Sequence, residues 1–375
     1  MAEQSAVQNA VRPERPRPDR PEADGAWANR AEADGPEADG ARTDGLRAAP
    51  VGHSRLLGVG GYRPARVVGN AELGRLIGHP EEWITGRSGI VERRFAGPAE
   101  TLAVMGAAAA DKALARAGVR PADVDLVLLA STSNMLMTPP TAVRIAHELG
   151  AHGATGIDLS AACAGFCHAL ALAADSIGAG SAGHVLVVGA ERMTDIVNPT
   201  DDSMAFLFAD GAGAAVVGPA DRPGIGPVAR AANGRYFDSL RMSHGWDAYA
   251  GSPGTTERPW LRMDGRRVFR WAMEEVCPGA RRALDGAGVA PGDLDVFVPH
   301  QSNARMIDLM AERLELGPRT VVSHDVARTG NTSSASVPLA LEALLEAGEA
   351  GPGDTALLVG FGAGLNYAGQ VVLLP

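Results

Sequence analysis

KALARAGVRPADVDLVLLAS, residues 112–131, is the stretch on which the fold turns, because the chain writes its pattern twice. RALDGAGVAPGDLDVFVPHQ, residues 282–301, repeats Ala-Leu, then Ala-Gly-Val, Pro, Asp and Asp at identical spacing, 170 residues further on. HVLVVGAE (184–191) and TALLVGFG (355–362) recur at an offset of 171. Each copy of the longer unit reads as a helix ended by glycine (Gly118, Gly288), a Pro/Asp turn, and a continuous apolar strand of the kind buried on both faces. The chain therefore predicts two related α/β halves, 51–222 and 223–375, packed face to face. Sites in such arrangements gather at strand ends and between the halves.

Outward from the repeat, the composition suits this architecture. With 375 residues, 46% of them hydrophobic, the chain can bury a large core. It contains no apolar run of the ~18 residues that a membrane span needs, and its N-terminus shows no signal-peptide core, so the expectation is a cytoplasmic protein without membrane association. A net charge of -10, with no Lys/Arg block interleaved with aromatics, argues against nucleic acid as a partner. Residues 1–50 form a separate regime, rich in Pro, Arg, Asp and Gly, with EADG three times. It reads as a disordered tail, since it lacks the large apolar residues that offset ordering entropy.

DLSAACAGFCHALALA (158–173) poses the functional question. Cys163 and Cys167 can be half a metal site, half a disulfide, two core thiols, or a nucleophile and a bystander. Three cysteines in a large cytosolic chain make a poor disulfide framework, and no second pair stands at zinc-ligand spacing, so no metal is expected. Cys163 falls where the short strand GIDLS gives way to a helix pattern. Helix-terminal N–H groups at that point predict a lowered thiol pKa, and Cys167 reads as a structural thiol. The second half adds partners. The repeated strand DVFVPH ends at His300, and Asn331 follows Gly330 at another small-residue helix start, nearly at the position that the repeat assigns to Cys163. His324 and His168 lie near these motifs but not at the strand end, which favours His300. The glycines of GFGAGL (360–365) serve either a plain turn or a close backbone approach to a ligand.

The segments EEWITGRSGIVERR, AACAGF, FLFADGAGAAVV, VPHQSNARMID, GNTSSASVPLAL and GFGAGL closely resemble β-ketoacyl-acyl carrier protein synthase III, the initiating ketosynthase of the thiolase superfamily. The resemblance spans residues 51–375. AACAGFCHALALAAD, ERMTD and LNYAGQVVLLP are most similar to priming ketosynthases of aromatic type II polyketide pathways. It implies a five-layer αβαβα fold of two duplicated halves, a homodimer, and a reaction with acyl-CoA as substrate and no cofactor. Cys163 takes the acyl group as a thioester. Malonyl-acyl carrier protein then loses carbon dioxide, and its enolate attacks that thioester, with His300 and Asn331 stabilising the enolate oxygen.

Further roles follow from the resemblance. The backbone N–H groups of Cys163 and Ala363 form the oxyanion site. Trp83 and Arg87 match CoA-binding positions, although Asp195 stands where a second clamp residue is expected. Arg266, Arg270 and Arg305, with Arg267 beside them, make a basic patch for pantetheine phosphate and an acidic carrier protein. Thr138, next to Met135 and Met137, and Phe361 shape the acyl pocket. The small Thr138 predicts room for a starter larger than acetyl. The readings in competition are fatty-acid initiation by the same chemistry, acyl transfer to an oxygen or nitrogen nucleophile, and a non-catalytic scaffold.

Overall fold

The computed structural model describes residues 52–375 except 253 and 255. The expected tail, 1–50, lies outside the described residues. Two five-stranded sheets dominate. In the first the order is His53–Tyr62, Asp210–Ala220, Val185–Arg192, Leu126–Ala130, Thr155–Leu159. In the second it is Ala229–Ala232, Asn366–Leu373, Thr355–Gly362, Val296–Pro299, Val321–Val322. Both follow one plan: two antiparallel pairings, then two parallel ones. The sequence repeat is thus a repeat of topology.

Burial on both strand faces builds the layers. Along the first sheet's middle strand, Val185 and Val187 join a central apolar cluster, while Leu186 and Val188 join an outer one. In the second sheet Ala356 and Leu358 face the centre, and Leu357 and Val359 face outward. This period of two demands a helical cover on each face. Helices Leu102–Ala117 and Thr141–Leu149 cover the outside of the first sheet. Cys277–Ala287 and Ala304–Leu314 cover the outside of the second. Gly165–Gly178 and Ser336–Ala347 fill the space between and touch both sheets. The result is an αβαβα sandwich.

The repeated unit folds as its residues dictate. Gly118 (φ 64°) and Gly288 (φ 69°) end their helices in the left-handed conformation that glycine adopts without a Cβ clash. Pro121–Asp123 and Pro291–Asp293 then make single 3₁₀ turns into the strands. No helix among the described residues is long and apolar enough to cross a membrane.

The two central helices are each preceded by a 3₁₀ turn, Ala162–Ala164 and Ser333–Ala335. Cys163 and Ser334 are the middle residues of those turns, so Ser334, not Asn331, occupies the duplicated position of Cys163. The offset of 171 that relates 184–191 to 355–362 itself carries Cys163 onto Ser334, and Asn331, at an offset of 168, falls short of it. Asn331 lies three residues ahead, in an isolated bridge with Phe208.

Candidate active site

Each turn packs on a strand from the opposite half. Gly360 and Gly362, at the end of the second sheet's central strand, lie against the Cys163 turn. A Cβ on Gly362 would fall 2.9 Å from the Cys163 nitrogen, and one on Gly360 3.0 Å from the Ala164 Cα. Reciprocally, a Cβ on Gly189 would fall 2.5 Å from the Ser334 carbonyl. Glycine at these three positions lets the halves close on one another.

A cavity of about 310 Å³ opens at this junction, and Cys163, His300, Asn331 and Phe361 all line it. The three candidate catalytic side chains, spread over 169 positions from Cys163 to Asn331, share one chamber. His300 follows the strand Val296–Pro299, and its N–H bonds to the Val359 carbonyl at 2.7 Å. Its Nδ1 lies 2.7 Å from Ser336 Oγ, which also accepts from the Gln301 N–H at 3.3 Å. A Ser336 hydroxyl donating to Nδ1 would leave the ring proton on Nε2. Phe361 presses edge to face on the ring at 5.2 Å, and burial pushes the His300 pKa down to about 3. Burial thus favours the neutral imidazole of His300.

Asn331 is held by its own loop: its Oδ1 accepts from the Ser333 N–H at 2.9 Å, which leaves its NH₂ as the free donor end. Its backbone exchanges bonds with Leu207 and Ala209, fixing Phe208 in the cavity wall. The thiol departs from expectation. Cys163 stands two residues ahead of the helix proper and is only 6% exposed. Desolvation, with the Glu191 carboxylate adding to it, pushes the Cys163 thiol up to about 12, where the helix start had predicted a lowered value. Burial outweighs the helix terminus here. The only side chain that hydrogen-bonds the sulfur is Ser333, with Oγ at 3.3 Å among the described residues.

Arg87, Asn303 and Arg305 stand where this chamber meets an outer cleft of about 790 Å³. Arg266, Arg270 and Arg313 line the cleft, opposed there by Glu274. Four of the arginines expected to bind carrier and phosphate are therefore gathered at one mouth. Arg313 joins them unannounced, because nothing in its sequence context ties it to them. Arg267 is turned away over the Tyr236 ring at 5.0 Å. Trp83 lines neither space. His79 stacks on it at 3.8 Å, Arg87 lies 4.5 Å from its centroid, and Phe206 meets its edge. Asp195 is not part of this stack: it pairs with Arg192 at 3.1 Å. The acid that approaches the stack is Asp202, 3.4 Å from His79.

Thr138 is exposed and does not line its own chain's cavity. His324 pairs with Asp308 on the surface at 2.7 Å, and His168 meets Asn366 at 3.2 Å, so neither competes with His300. Sequence reasoning missed Ser333, Ser336 and Glu191. Serines in GNTSSAS pass as ordinary small residues at a helix start, and only the tertiary structure turns them toward Cys163, His300 and Glu191.

With this geometry in place, the comparisons converge. The profile described as 3-oxoacyl-[acyl-carrier-protein] synthase III matches residues 157–234, and its C-terminal counterpart matches 284–374. A β-ketoacyl-[acyl-carrier-protein] synthase III of Streptomyces lividans is 57% identical over 322 residues, covering 86% of this chain and 95% of that protein. The chain belongs to the β-ketoacyl-acyl carrier protein synthase III family. The crystal structure of the priming β-ketosynthase from the R1128 polyketide pathway superposes with a TM-score of 0.86 at 56% identity, over 88% of this chain and 99% of that one. The synthase III of Aquifex aeolicus gives 0.79 at 34%, over 86% and 100%. The fold is thiolase-like, and the chain is a condensing acyltransferase.

Proposed function

We propose that this enzyme loads a short acyl group from acyl-CoA onto Cys163 and condenses it with malonyl-acyl carrier protein, releasing carbon dioxide and 3-ketoacyl carrier protein to prime an aromatic polyketide. The observation that carries this reading is the single chamber shared by Cys163, His300 and Asn331 beneath an arginine-lined mouth. A thiolate is both a good nucleophile and a good leaving group, as acyl loading followed by Claisen attack requires. Two neutral donors, His300 Nε2–H and the Asn331 amide, suit a developing enolate oxygen. The N–H groups of Cys163 and Ala363 serve the oxyanion of acyl transfer. The acyl-CoA is consumed as substrate, and no separate cofactor enters. The likeness to the R1128 priming enzyme supports the polyketide assignment.

Arg87, Arg266, Arg270 and Arg305 take the pantetheine phosphate and the carrier's acidic surface. Trp83 reaches CoA only once the His79 or Arg87 face is released. The halves divide near residue 222, and the enzyme works in the cytoplasm as a homodimer. The first sheet's outer strand, Thr155–Leu159, is paired along one edge only among the described residues, and its Ile157 is exposed. Asp158 ties both ends of the adjoining loop through Asn134 and Thr141, and Met135, Leu136 and Met137 stand exposed on it. Self-pairing along this apolar edge buries it and carries Thr138 toward the partner's acyl pocket. That pocket then accepts starters of about three to six carbons, with each methylene worth ~1 kcal/mol.

Intact-protein mass spectrometry tests the reaction. The enzyme is mixed with acetyl-, butyryl-, isobutyryl- and hexanoyl-CoA, then given malonyl-carrier protein. The expected result is acyl mass on Cys163 that moves to a 3-ketoacyl carrier protein, with a preference beyond acetyl. Acyl mass that stays until an alcohol or amine is supplied makes the chain a simple acyltransferase.

A further inference from the structure

The mechanism so far leaves the thiol proton without a carrier. Cys163 is buried, which favours its neutral thiol, and its hydrogen-bond partner is Ser333, not His300. We propose that Ser333 and Thr132 form a hydroxyl relay that takes the proton from Cys163 Sγ during acyl loading and returns one when the thiolate is released by condensation. This rests on Cys163 being the nucleophile.

Four observations carry it. The contacts are consecutive: Cys163 Sγ donates to Ser333 Oγ at 3.3 Å, and Ser333 Oγ lies 3.0 Å from Thr132 Oγ1. Ser333 is fully buried while Thr132 is partly exposed, so the chain of hydroxyls runs from the sulfur toward solvent. Buried Glu191 holds both sides of the path in place, accepting from the Thr132 N–H at 2.9 Å and from Ser334 Oγ at 2.7 Å. Finally, Ser333 has a left-handed φ of 49°, uncommon outside glycine, and the duplicated position Ala162 has the same φ. The turn therefore forms with alanine, and its geometry does not require the hydroxyl that Ser333 adds at the sulfur.

The protons balance. In loading, the Cys163 S–H proton passes to Ser333 Oγ, the Ser333 proton to Thr132, and a Thr132 proton to water, while the sulfur forms the thioester and the donor's carbonyl–sulfur bond breaks. The released CoA thiolate takes a proton from solvent. In condensation the carbon–sulfur bond to Cys163 breaks, carbon dioxide departs, and the relay runs in reverse to restore the thiol.

The test is the rate of Cys163 acylation by butyryl-CoA, followed by rapid-quench mass spectrometry, in mixtures of H₂O and D₂O. Ser333→Ala keeps the backbone N–H that orients Asn331. It is expected to slow maximal acylation roughly 10- to 100-fold with little change in KM, and to straighten a curved proton inventory. Thr132→Val is expected to slow it several-fold, and Thr132→Ser to restore it. Wild-type acylation rates and isotope effects in both Ser333→Ala and Thr132→Val overturn the relay, as does loss confined to condensation. Should Ser333→Ala not fold, Thr132→Val and Thr132→Ser decide alone. Acyl mass absent from Cys163 in the wild-type enzyme is a different failure, that of the nucleophile reading itself.

Discussion

At the scale of the residue, burial governs the chemistry of the site. Burial pushes the Cys163 thiol up to about 12 and the His300 imidazole down to about 3, which favours the neutral form of each over a thiolate–imidazolium pair. Among the described residues the side chain that hydrogen-bonds the sulfur is Ser333, and in the proposed reaction His300 and Asn331 serve the second step. Replacing either with alanine is expected to reduce condensation at least 100-fold while Cys163 still acylates, as parallel loading and turnover assays will show. The same burial sets a pH dependence of stability. His300 titrates at 6.5 unfolded and about 3 folded, so its contribution is complete above about pH 6.5 and is lost as pH falls toward 3. The slope is ~1.4 kcal/mol per pH unit within that window. Denaturant unfolding at pH 4.5 and 7 is expected to show His300→Asn with a smaller acid loss than wild type. The three cysteine thiols act at the other end. Held above 9.0 by burial, they favour the folded state below about pH 9 and withdraw that contribution as pH rises.

At the scale of the element, the two 3₁₀ turns and the strand ends that receive them are the joint of the molecule. Gly189 meets the Ser334 carbonyl and Gly360 the Ala164 backbone, so the joint tolerates a methyl group unequally. A Cβ at Gly189 lies 2.5 Å from backbone and forces movement, whereas one at Gly360 lies at 3.0 Å. Gly189→Ala is expected to lower the denaturant midpoint by the equivalent of about 2–3 kcal/mol, and Gly360→Ala by less. Equal losses would mean that the two contacts relax alike. The sequence anticipates both turns as small-residue helix starts, the first after the strand Thr155–Leu159 and the second after the short helix Val326–Thr329. It does not anticipate their exchange between halves, because packing across the interface leaves no periodic mark on either segment.

At the scale of the whole molecule, the proposed homodimer forms at the edge of Thr155–Leu159, paired on one side only among the described residues, and at the apolar loop beside it. An apolar sheet edge left open invites pairing with another chain. Light scattering coupled to gel filtration is expected to give twice the 38.6 kDa chain mass. Ile157→Asp is expected to shift the enzyme toward monomer and to alter starter preference with it, if Thr138 serves the neighbouring subunit. A wild-type monomer would remove both the edge pairing and that role for Thr138.

Several features were legible in the amino-acid sequence alone. The doubled strand-and-helix pattern, Gly118 and Gly288 as helix ends, Cys163 at a strand-to-helix junction and His300 at a strand end all follow from local rules, in which neighbouring residues carry the signal. Tertiary structure alone decided the rest. It raised the Cys163 thiol where the helix start predicted lowering, covered Trp83 with His79 and Arg87, and brought Ser333 to the sulfur. The physical reason is common to all three. Desolvation, stacking and hydroxyl contacts depend on which distant segments meet, and the segments meeting at Cys163 come from both halves of the chain.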